Sequence, residues 1–213
     1  MRIITAFFIA VCMAWSAQAG QMDFSRGWKN QRLNLFSSNT YNFGKTLGIE
    51  SNGTVSIAWT RLKQQDWNKE VASWSWSVDT SVPATDLSVK GGDDRNISLY
   101  FVFLPLDEAQ RLQGASLRRL LGNDQVRILQ YAWGGNHTPG QFIPSPYGPQ
   151  GQGVTVALRP AGTGSFNEHR SIRADYTRAF GHGNAQLVGL AVSADSDDTN
   201  TQVRAGIWAL ELH

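Results

Sequence analysis

Cysteine is nearly absent from this sequence of 213 residues, and the single one, Cys12, lies in an apolar stretch near the start. The rest of the chain therefore offers no thiolate nucleophile, no cysteine ligand for zinc and no disulfide. The 4 histidines show no metal-binding spacing. A P-loop, a dinucleotide-binding glycine motif and a G-x-S-x-G elbow are also missing. These absences argue against cofactor-dependent enzymes and against a recognisable nucleophilic triad.

A strong charge of either sign is missing as well. Lys and Arg number 19 and Asp and Glu 17, which gives a formal net charge of +2. A balance of this kind argues against a nucleic-acid partner and against a polybasic membrane-binding surface. With 41% hydrophobic and 17% charged residues, the composition predicts one globular domain rather than a disordered chain.

The first 19 residues have the pattern of a secretory signal peptide. Arg2 precedes an apolar stretch from Ile3 to Trp15, and the small-x-small sequence Ala17-Gln18-Ala19 follows. The apolar stretch is too short to cross a hydrocarbon core of about 30 Å, so we expect cleavage after Ala19 and no stable membrane anchor afterwards. Residues 20–213 would form a single domain in the periplasm or outside the cell. The lack of disulfides favours a bacterial periplasm.

Short apolar or alternating runs separated by turn residues predict many β-strands. The runs are Tyr41 to Ile49, Thr54 to Leu62, Ala72 to Asp79, Ile97 to Leu104, Val126 to Trp133, Val154 to Arg159, Leu187 to Ala194 and Val203 to Leu212. Asn52-Gly53 predicts a hairpin that makes the first two runs neighbours. The pattern predicts an all-β fold, an antiparallel β-sandwich of the jelly-roll kind, with Ile97 to Leu104 and Leu187 to Ala194 as central strands.

One helical insertion interrupts the strands. Leucines between Asp107 and Gly122 form an imperfect helical stripe, and Gly114 within it favours two short helices over one. A further helical turn is predicted from Arg173 to Phe180. Gly134 to Gly153 is rich in Gly and Pro and is predicted to be a surface loop or flap.

An acidic cluster lies between the last two predicted strands. Asp195, Asp197 and Asp198 could ligate a hard cation such as calcium, which prefers 6 to 8 oxygen ligands. The alternative is that these side chains only shape a turn through hydrogen bonds to the backbone.

Other acidic residues are candidates for ligand binding or catalysis. Asp93 and Asp94 precede a buried strand, and Asp175 lies in the predicted helical turn. Adjacent strand residues point to opposite faces, so Asp93 and Asp94 do not form an acid pair by themselves. One of them together with Asp175 could act as acid and base on a glycosidic bond.

Aromatic residues suggest two interpretations. Trp74 and Trp76 share one face of a strand, where they are either core residues or a platform on which sugar rings stack. The alternation of Trp74 and Trp76 with Ala72 and Val78 favours the core for these two residues. Tyr131 and Trp133, beside the loop that holds Tyr147, are better candidates for an exposed platform.

Several ordered segments resemble the bacterial family called domain of unknown function 3047. They are Trp74-Ser75-Trp76-Ser77-Val78-Asp79, Lys90-Gly91-Gly92-Asp93-Asp94, Tyr100-Phe101-Val102-Phe103, Tyr131-Ala132-Trp133, Asp175-Tyr176, Phe180-Gly181 and Asp195-Ser196-Asp197-Asp198-Thr199. The resemblance implies an exported single-domain β-sandwich and carries no activity with it. The last strand is more loosely similar to galactose-binding-like jelly rolls.

Three functions follow as hypotheses. The first is a non-catalytic glycan- or polysaccharide-binding module, in which Trp133, Tyr131 and Tyr147 stack on sugars and Asp93, Asp94 and Asp175 accept hydroxyl hydrogen bonds. The second is a glycan hydrolase or lyase, and the third a structural envelope protein that binds another protein. The absence of a catalytic signature favours the first. No cofactor is predicted apart from a possible structural calcium.

Overall fold

The computed structural model describes residues 20–33 and 37–213. The predicted signal peptide, residues 1–19, lies outside the described residues. In the described part of the chain, no helix is long and apolar enough to cross a membrane.

The described residues form strands in two sheets, with three short α-helices. The strands are β1 (Lys29–Arg32), β2 (Thr40–Asn42), β3 (Leu47–Asn52), β4 (Ser56–Arg61), β5 (Val71–Thr80), β6 (Arg95–Pro105), β7 (Arg127–Trp133), β8 (Phe142–Pro144), β9 (Gly153–Arg159), β10 (Gly164–Ser171), β11 (Ala185–Asp195) and β12 (Gln202–Leu212). The helices are α1 (Leu106–Arg111), α2 (Leu117–Leu121) and α3 (Ile172–Phe180).

The architecture is the predicted β-sandwich of jelly-roll type. The large sheet has the strand order β1-β4-β11-β6-β7-β9-β8, and the small sheet has the order β10-β5-β12-β3-β2. Neighbouring strands are antiparallel except β7 and β9, which run parallel. As predicted, β6 and β11 are central strands, buried along almost their whole length.

The core lies between the two sheets because each contributes alternate apolar side chains to it. On β5, Trp74 and Trp76 point inward and are almost fully buried, which confirms the interpretation of both as core residues. Their rings are 5.5 Å apart in an edge-on arrangement, and Trp74 also contacts Phe101 of the opposite sheet. Edge-on aromatic pairs add about 0.5–1.5 kcal/mol to the stabilisation from burial alone.

The hairpin predicted at Asn52-Gly53 is wrong. The strand β3 pairs with β2 and β12 in the small sheet, whereas β4 pairs with β1 and β11 in the large sheet. Gly53 has the positive φ of +58° that such a turn requires, but its N–H donates to the carbonyl of Thr201. The same turn residues therefore carry the chain from one sheet to the other.

The helical predictions are confirmed in their two-helix form. Gly114 adopts a φ of +81° and separates α1 from α2. Ser116 begins α2 by accepting a hydrogen bond from the backbone N–H of Arg119. Helix α3 begins in the same way at Ser171 and ends at Gly181.

Candidate ligand-binding cleft

A cleft of about 350 Å³ lies on the outer face of the large sheet. Leu99 and Phe101 of β6 enter the core, so Tyr100 between them faces outward. Outward-facing residues in two transverse rows form the floor of the cleft. One row is Ala191, Tyr100, Gln130 and Thr155, and the next is Val102, Ile128 and Gly153.

The walls come from the two irregular segments of the sequence. Leu117 and Leu121 of α2 form one wall, and the loop from Ser145 to Gln152 forms the other. The loop follows β8, which pairs with β9 at the edge of the sheet. The helical insertion and the Gly/Pro-rich segment therefore build the cleft together, on a floor that the strands hold rigid.

A group of charged and polar side chains around Arg95 closes one end of the cleft. Nη1 of Arg95 contacts Oδ2 of Asp93 at 2.9 Å and Oδ2 of Asp195 at 3.2 Å. Its Nη2 donates to the hydroxyl of Tyr100 at 2.8 Å, and that hydroxyl lies 2.9 Å from Oγ of Ser193. Burial lowers the pKa of Arg95, but the neighbouring Tyr100, Asp195 and Asp93 raise it more, so the guanidinium stays charged.

Tyr147 connects this group to the loop wall. Its hydroxyl donates to Oδ1 of Asp93 at 2.8 Å and accepts from the backbone N–H of Gly91 at 3.3 Å. Burial and the hydrogen bond to Asp93 raise the pKa of Tyr147 to about 12. The phenol therefore keeps its proton at neutral pH and remains a donor to Asp93. With 44% of its surface exposed, the ring offers an aromatic surface to a ligand in the cleft.

The carboxyl group of Asp195 is buried beside the guanidinium of Arg95. Burial raises its pKa to about 8, while the charge of Arg95 acts in the opposite direction. Among the described residues, neither Oδ1 of Asp195 nor Nε of Arg95 has a hydrogen-bond partner.

Neutral polar side chains cross the floor in a connected line. Oγ1 of Thr155 donates to Oε1 of Gln130 at 3.1 Å, and Nε2 of Gln130 donates to Oγ of Ser98 at 2.8 Å. An amide and a hydroxyl each have more hydrogen-bonding capacity than one contact uses. Gln130 and Thr155 can therefore bind a polar ligand without losing their contact with each other.

The prediction of an exposed platform at Tyr131 and Trp133 is wrong. Tyr131 is 0% exposed and Trp133 is 1% exposed, because both point into the core from β7. Trp133 packs at 5.8 Å against Trp76 and at 5.1 Å against Phe166, which both belong to the small sheet. Of the three predicted aromatic residues, only Tyr147 lines the cleft.

The proposed partnership of Asp175 with Asp93 or Asp94 is also contradicted. Oδ2 of Asp175 accepts hydrogen bonds from the hydroxyl of Tyr131 at 2.7 Å and from Nη2 of Arg170 at 2.7 Å. Tyr131 is a core residue, so Asp175 lies on the inner side of the large sheet. Asp93 lines the cleft on the outer side, and the two carboxyl groups cannot act on one bond.

Asp94 and the acidic turn come together beside the charged end of the cleft. Asp94 is fully buried, and its Oδ2 accepts from both the N–H (2.8 Å) and the hydroxyl (2.5 Å) of Thr199. Its Oδ1 accepts from the N–H of Asp198 at 3.3 Å. Carboxylate oxygens of Asp94, Asp197 and Asp198 lie within 4.8 Å of one another. Asp94 thus belongs to the turn and not to the cleft.

Some cleft residues had no distinctive sequence signal. Tyr100 lies in a strand predicted to be apolar on both faces, and Gln130 and Thr155 are isolated polar residues in two other predicted strands. Trp59 was also missed: on β4 it is the neighbour of Ala191 and continues the first floor row beyond the cleft. Its alternation with Ala58 and Thr60 shows that it faces outward, but only the strand order reveals that this face holds the cleft.

Comparison with known proteins gives a family and distant structural similarities. A model of the family described as "Protein of unknown function (DUF3047)" matches residues 26–211. No curated protein matches the chain. The endoglucanase cel12A from Rhodothermus marinus is 11% identical with a TM-score of 0.49, covering 92% of this chain and 97% of that one. The xyloglucanase domain of NopAA from Sinorhizobium fredii, solved with cellobiose, is 8% identical with a TM-score of 0.46, covering 92% and 98%. Similarities of this size do not extend to residues or activity.

Proposed function

The chain belongs to the DUF3047 family, and for this member we propose binding of a glycan chain in the cleft on the outer face of the large sheet. The observation that carries the proposal is the line of neutral polar side chains across the cleft floor. Gln130 and Thr155 present amide and hydroxyl groups between apolar neighbours. A pyranose has the matching character, since its ring edge carries hydroxyls and its faces carry C–H groups.

The apolar part of the cleft supports the same ligand class. Val102 and Ile128 form the second floor row beside Gln130, and the exposed ring of Tyr147 stands at the wall. Aromatic rings and flat apolar surfaces receive the C–H faces of sugars, while polar groups fix their orientation. Trp59 lies in line with the floor and would contact a chain that extends beyond the cleft.

Binding without turnover is favoured over hydrolysis. Glycosidases use two carboxyl groups about 5 to 9.5 Å apart on either side of the scissile bond. Among the described residues that line the cleft, Asp93 is the one carboxylic acid, and its two oxygens are already bound by Arg95 and Tyr147. It therefore accepts hydrogen bonds or positions the loop more readily than it transfers a proton.

The experiment is affinity electrophoresis of the protein through gels that contain single bacterial or plant polysaccharides. Gln130→Ala removes the central polar group of the floor, and Gln202→Ala removes an exposed strand glutamine on the small sheet as a matched control. We expect one polysaccharide to retard the wild type and Gln202→Ala, and to retard Gln130→Ala much less.

The outcomes separate the alternatives. Retardation that Gln130→Ala leaves unchanged would overturn the assignment to this cleft. New reducing ends or unsaturated sugars in the retained polysaccharide would show turnover and favour the hydrolase or lyase. No retardation on any gel, with a protein partner co-purifying from the envelope, would favour the structural protein.

We also propose that the protein is exported, on the basis of the leader sequence and a glycan ligand of the cell envelope. Fractionation of expressing cells followed by N-terminal sequencing tests this, with Gly20 expected as the first residue of the periplasmic or secreted form. A cytoplasmic protein that keeps residues 1–19 would refute it.

A further inference from the structure

We propose that the acidic turn formed by Asp94, Asp197 and Asp198 is a calcium site, separate from the glycan cleft. Asp94 comes just before β6, and the other two lie between β11 and β12. The fold therefore brings together residues about one hundred positions apart in sequence. The turn prediction from the sequence named Asp195 as a ligand in place of Asp94.

The geometry suits a calcium ion. One carboxylate oxygen from each of the three residues lies within 4.8 Å of the other two. Calcium binds oxygen at 2.3–2.6 Å, so two of its ligands can be up to about 5.2 Å apart. The three oxygens can therefore bind one ion with shifts of no more than a few tenths of an ångström.

Hydrogen bonds already organise the turn and leave two of its three carboxylates exposed. The backbone N–H groups of Asp198 and Thr199 both donate to the carboxylate of Asp94. These contacts fix the course of the turn, yet the carboxylates of Asp197 and Asp198 remain on the surface. A cation would meet a formed set of oxygen ligands, with the remaining coordination positions open to water.

Asp195 supplies an independent observation that points to a positive ion. It is only 6% exposed, and its Oδ1 has no hydrogen-bond partner among the residues that the structure describes. Its carboxyl group lies against that of Asp197. A buried oxygen that is unpaired is costly, and no described N–H or O–H group is hydrogen-bonded to this one. A cation held by Asp197 would compensate both groups.

The local charge leads to the same conclusion. Five carboxyl groups meet here, from Asp93, Asp94, Asp195, Asp197 and Asp198, and the guanidinium of Arg95 contacts only Asp93 and Asp195 among them. The three carboxylates of the proposed site receive no salt bridge from a described residue. A divalent ion is the simplest partner for this excess of negative charge, and a set of oxygen ligands selects a hard one.

The test is calcium binding to the full protein after removal of metal with a chelator. Thermal unfolding with EDTA, 10 mM calcium or 10 mM magnesium gives one measurement, and terbium luminescence excited through nearby aromatic residues gives a second. Asp197→Asn and Asp198→Asn are the site variants because both residues are exposed. Asp124→Asn, an exposed aspartate outside the turn, is the matched control.

We expect calcium to raise the melting temperature by about 5 °C, given dissociation constants of about 0.1–1 mM for extracellular calcium sites. The rise and the terbium signal should persist in Asp124→Asn and be lost in Asp197→Asn and Asp198→Asn. Identical melts in EDTA and calcium, without terbium luminescence, would overturn the site. An equal or larger effect of magnesium would overturn calcium as its ion. Neither result bears on polysaccharide retention by the cleft.

Discussion

The hydroxyl of Tyr147 lies 2.8 Å from Oδ1 of Asp93, and this contact joins the loop wall of the cleft to its charged end. The two residues are 54 positions apart, and one belongs to the Gly/Pro-rich loop while the other precedes a central strand. Gln152 holds the other end of the loop, because its Nε2 donates to the carbonyl of Asn123 at 3.1 Å. The hydrogen bond between Tyr147 and Asp93 therefore fixes the part of the loop that carries the aromatic ring.

Tyr147→Phe should weaken polysaccharide retention while changing stability little. The ring stays available for stacking, but the loop loses its contact with Asp93, and a mobile wall must be ordered when the ligand binds. Because Tyr147 is 44% exposed, we expect its lost hydrogen bond to cost at most about 1 kcal/mol of unfolding free energy. Affinity electrophoresis and thermal unfolding measure the two effects.

Tyr41→Phe is the matched control for that change. The hydroxyl of Tyr41 donates to the carbonyl of Ser56 at 2.7 Å, and Tyr41 does not line the cleft. It should lower stability and leave retention unchanged. Equal retention by Tyr147→Phe and the wild type would show that the contact with Asp93 does not position the loop for binding.

Trp133→Ala should unfold the protein more easily. The side chain is 1% exposed and packs between Trp76 and Phe166, so its removal leaves a cavity between the sheets. Substitutions of this kind cost about 3–5 kcal/mol. Urea unfolding monitored by circular dichroism measures the loss. A variant as stable as the wild type that no longer binds polysaccharide would restore Trp133 to the role of a sugar platform.

Asp175→Asn should lower stability without affecting retention in the cleft. Its Oδ2 accepts from Tyr131 and Arg170, and the substitution removes the charge that binds Arg170. We expect a loss of about 1–3 kcal/mol, measured by urea unfolding. Asp79→Asn, at an exposed position, should change neither property. Normal stability combined with lost binding or turnover would argue for a direct role of Asp175 toward the ligand.

Gly134→Ala should destabilise the protein more than Gly140→Ala. Both glycines have positive φ, +150° and +85°, but only at Gly134 would an added Cβ lie 2.8 Å from Cα of Arg95. Backbone strain of this kind costs about 1–3 kcal/mol, and the contact with Arg95 adds to it at Gly134. Comparing the urea midpoints of the two variants separates strain from steric contact. Equal midpoints would mean that the chain at Gly134 moves away from Arg95 without loss.

The strands and the fold class could be predicted because alternation and burial are local properties of the sequence. Trp74 and Trp76 alternate with serines, and Ile97 to Leu104 is apolar on both faces. The pairing of the strands could not be predicted in this way, because it depends on residues far apart in the sequence. Asn52-Gly53 specifies a sharp turn, but whether that turn closes a hairpin or joins two sheets depends on what β3 and β4 pair with elsewhere.

The cleft was harder to predict than the fold for the same reason. Tyr131 and Trp133 lie on the same face of β7 as the apolar Leu129, which indicates that they point into the core. The nearby Gly/Pro-rich loop led instead to the prediction that they are exposed. Tyr147 was found because it lies in an unusual Gly/Pro-rich segment. Tyr100 and Gln130 become neighbours only through the pairing of β6 with β7, which no sequence pattern specifies.

The parallel pairing of β7 and β9 has a consequence for how such a protein can diversify. Two parallel neighbours require the chain to travel back along the sheet between them, and here residues 134–152 make that return. The returning segment can lengthen at little thermodynamic expense, since doubling a flexible loop adds only about 0.6 kcal/mol of closure entropy. Insertions between β8 and β9 would reshape the cleft wall while the seven-stranded sheet stays as it is, so selectivity and folding can evolve under separate constraints.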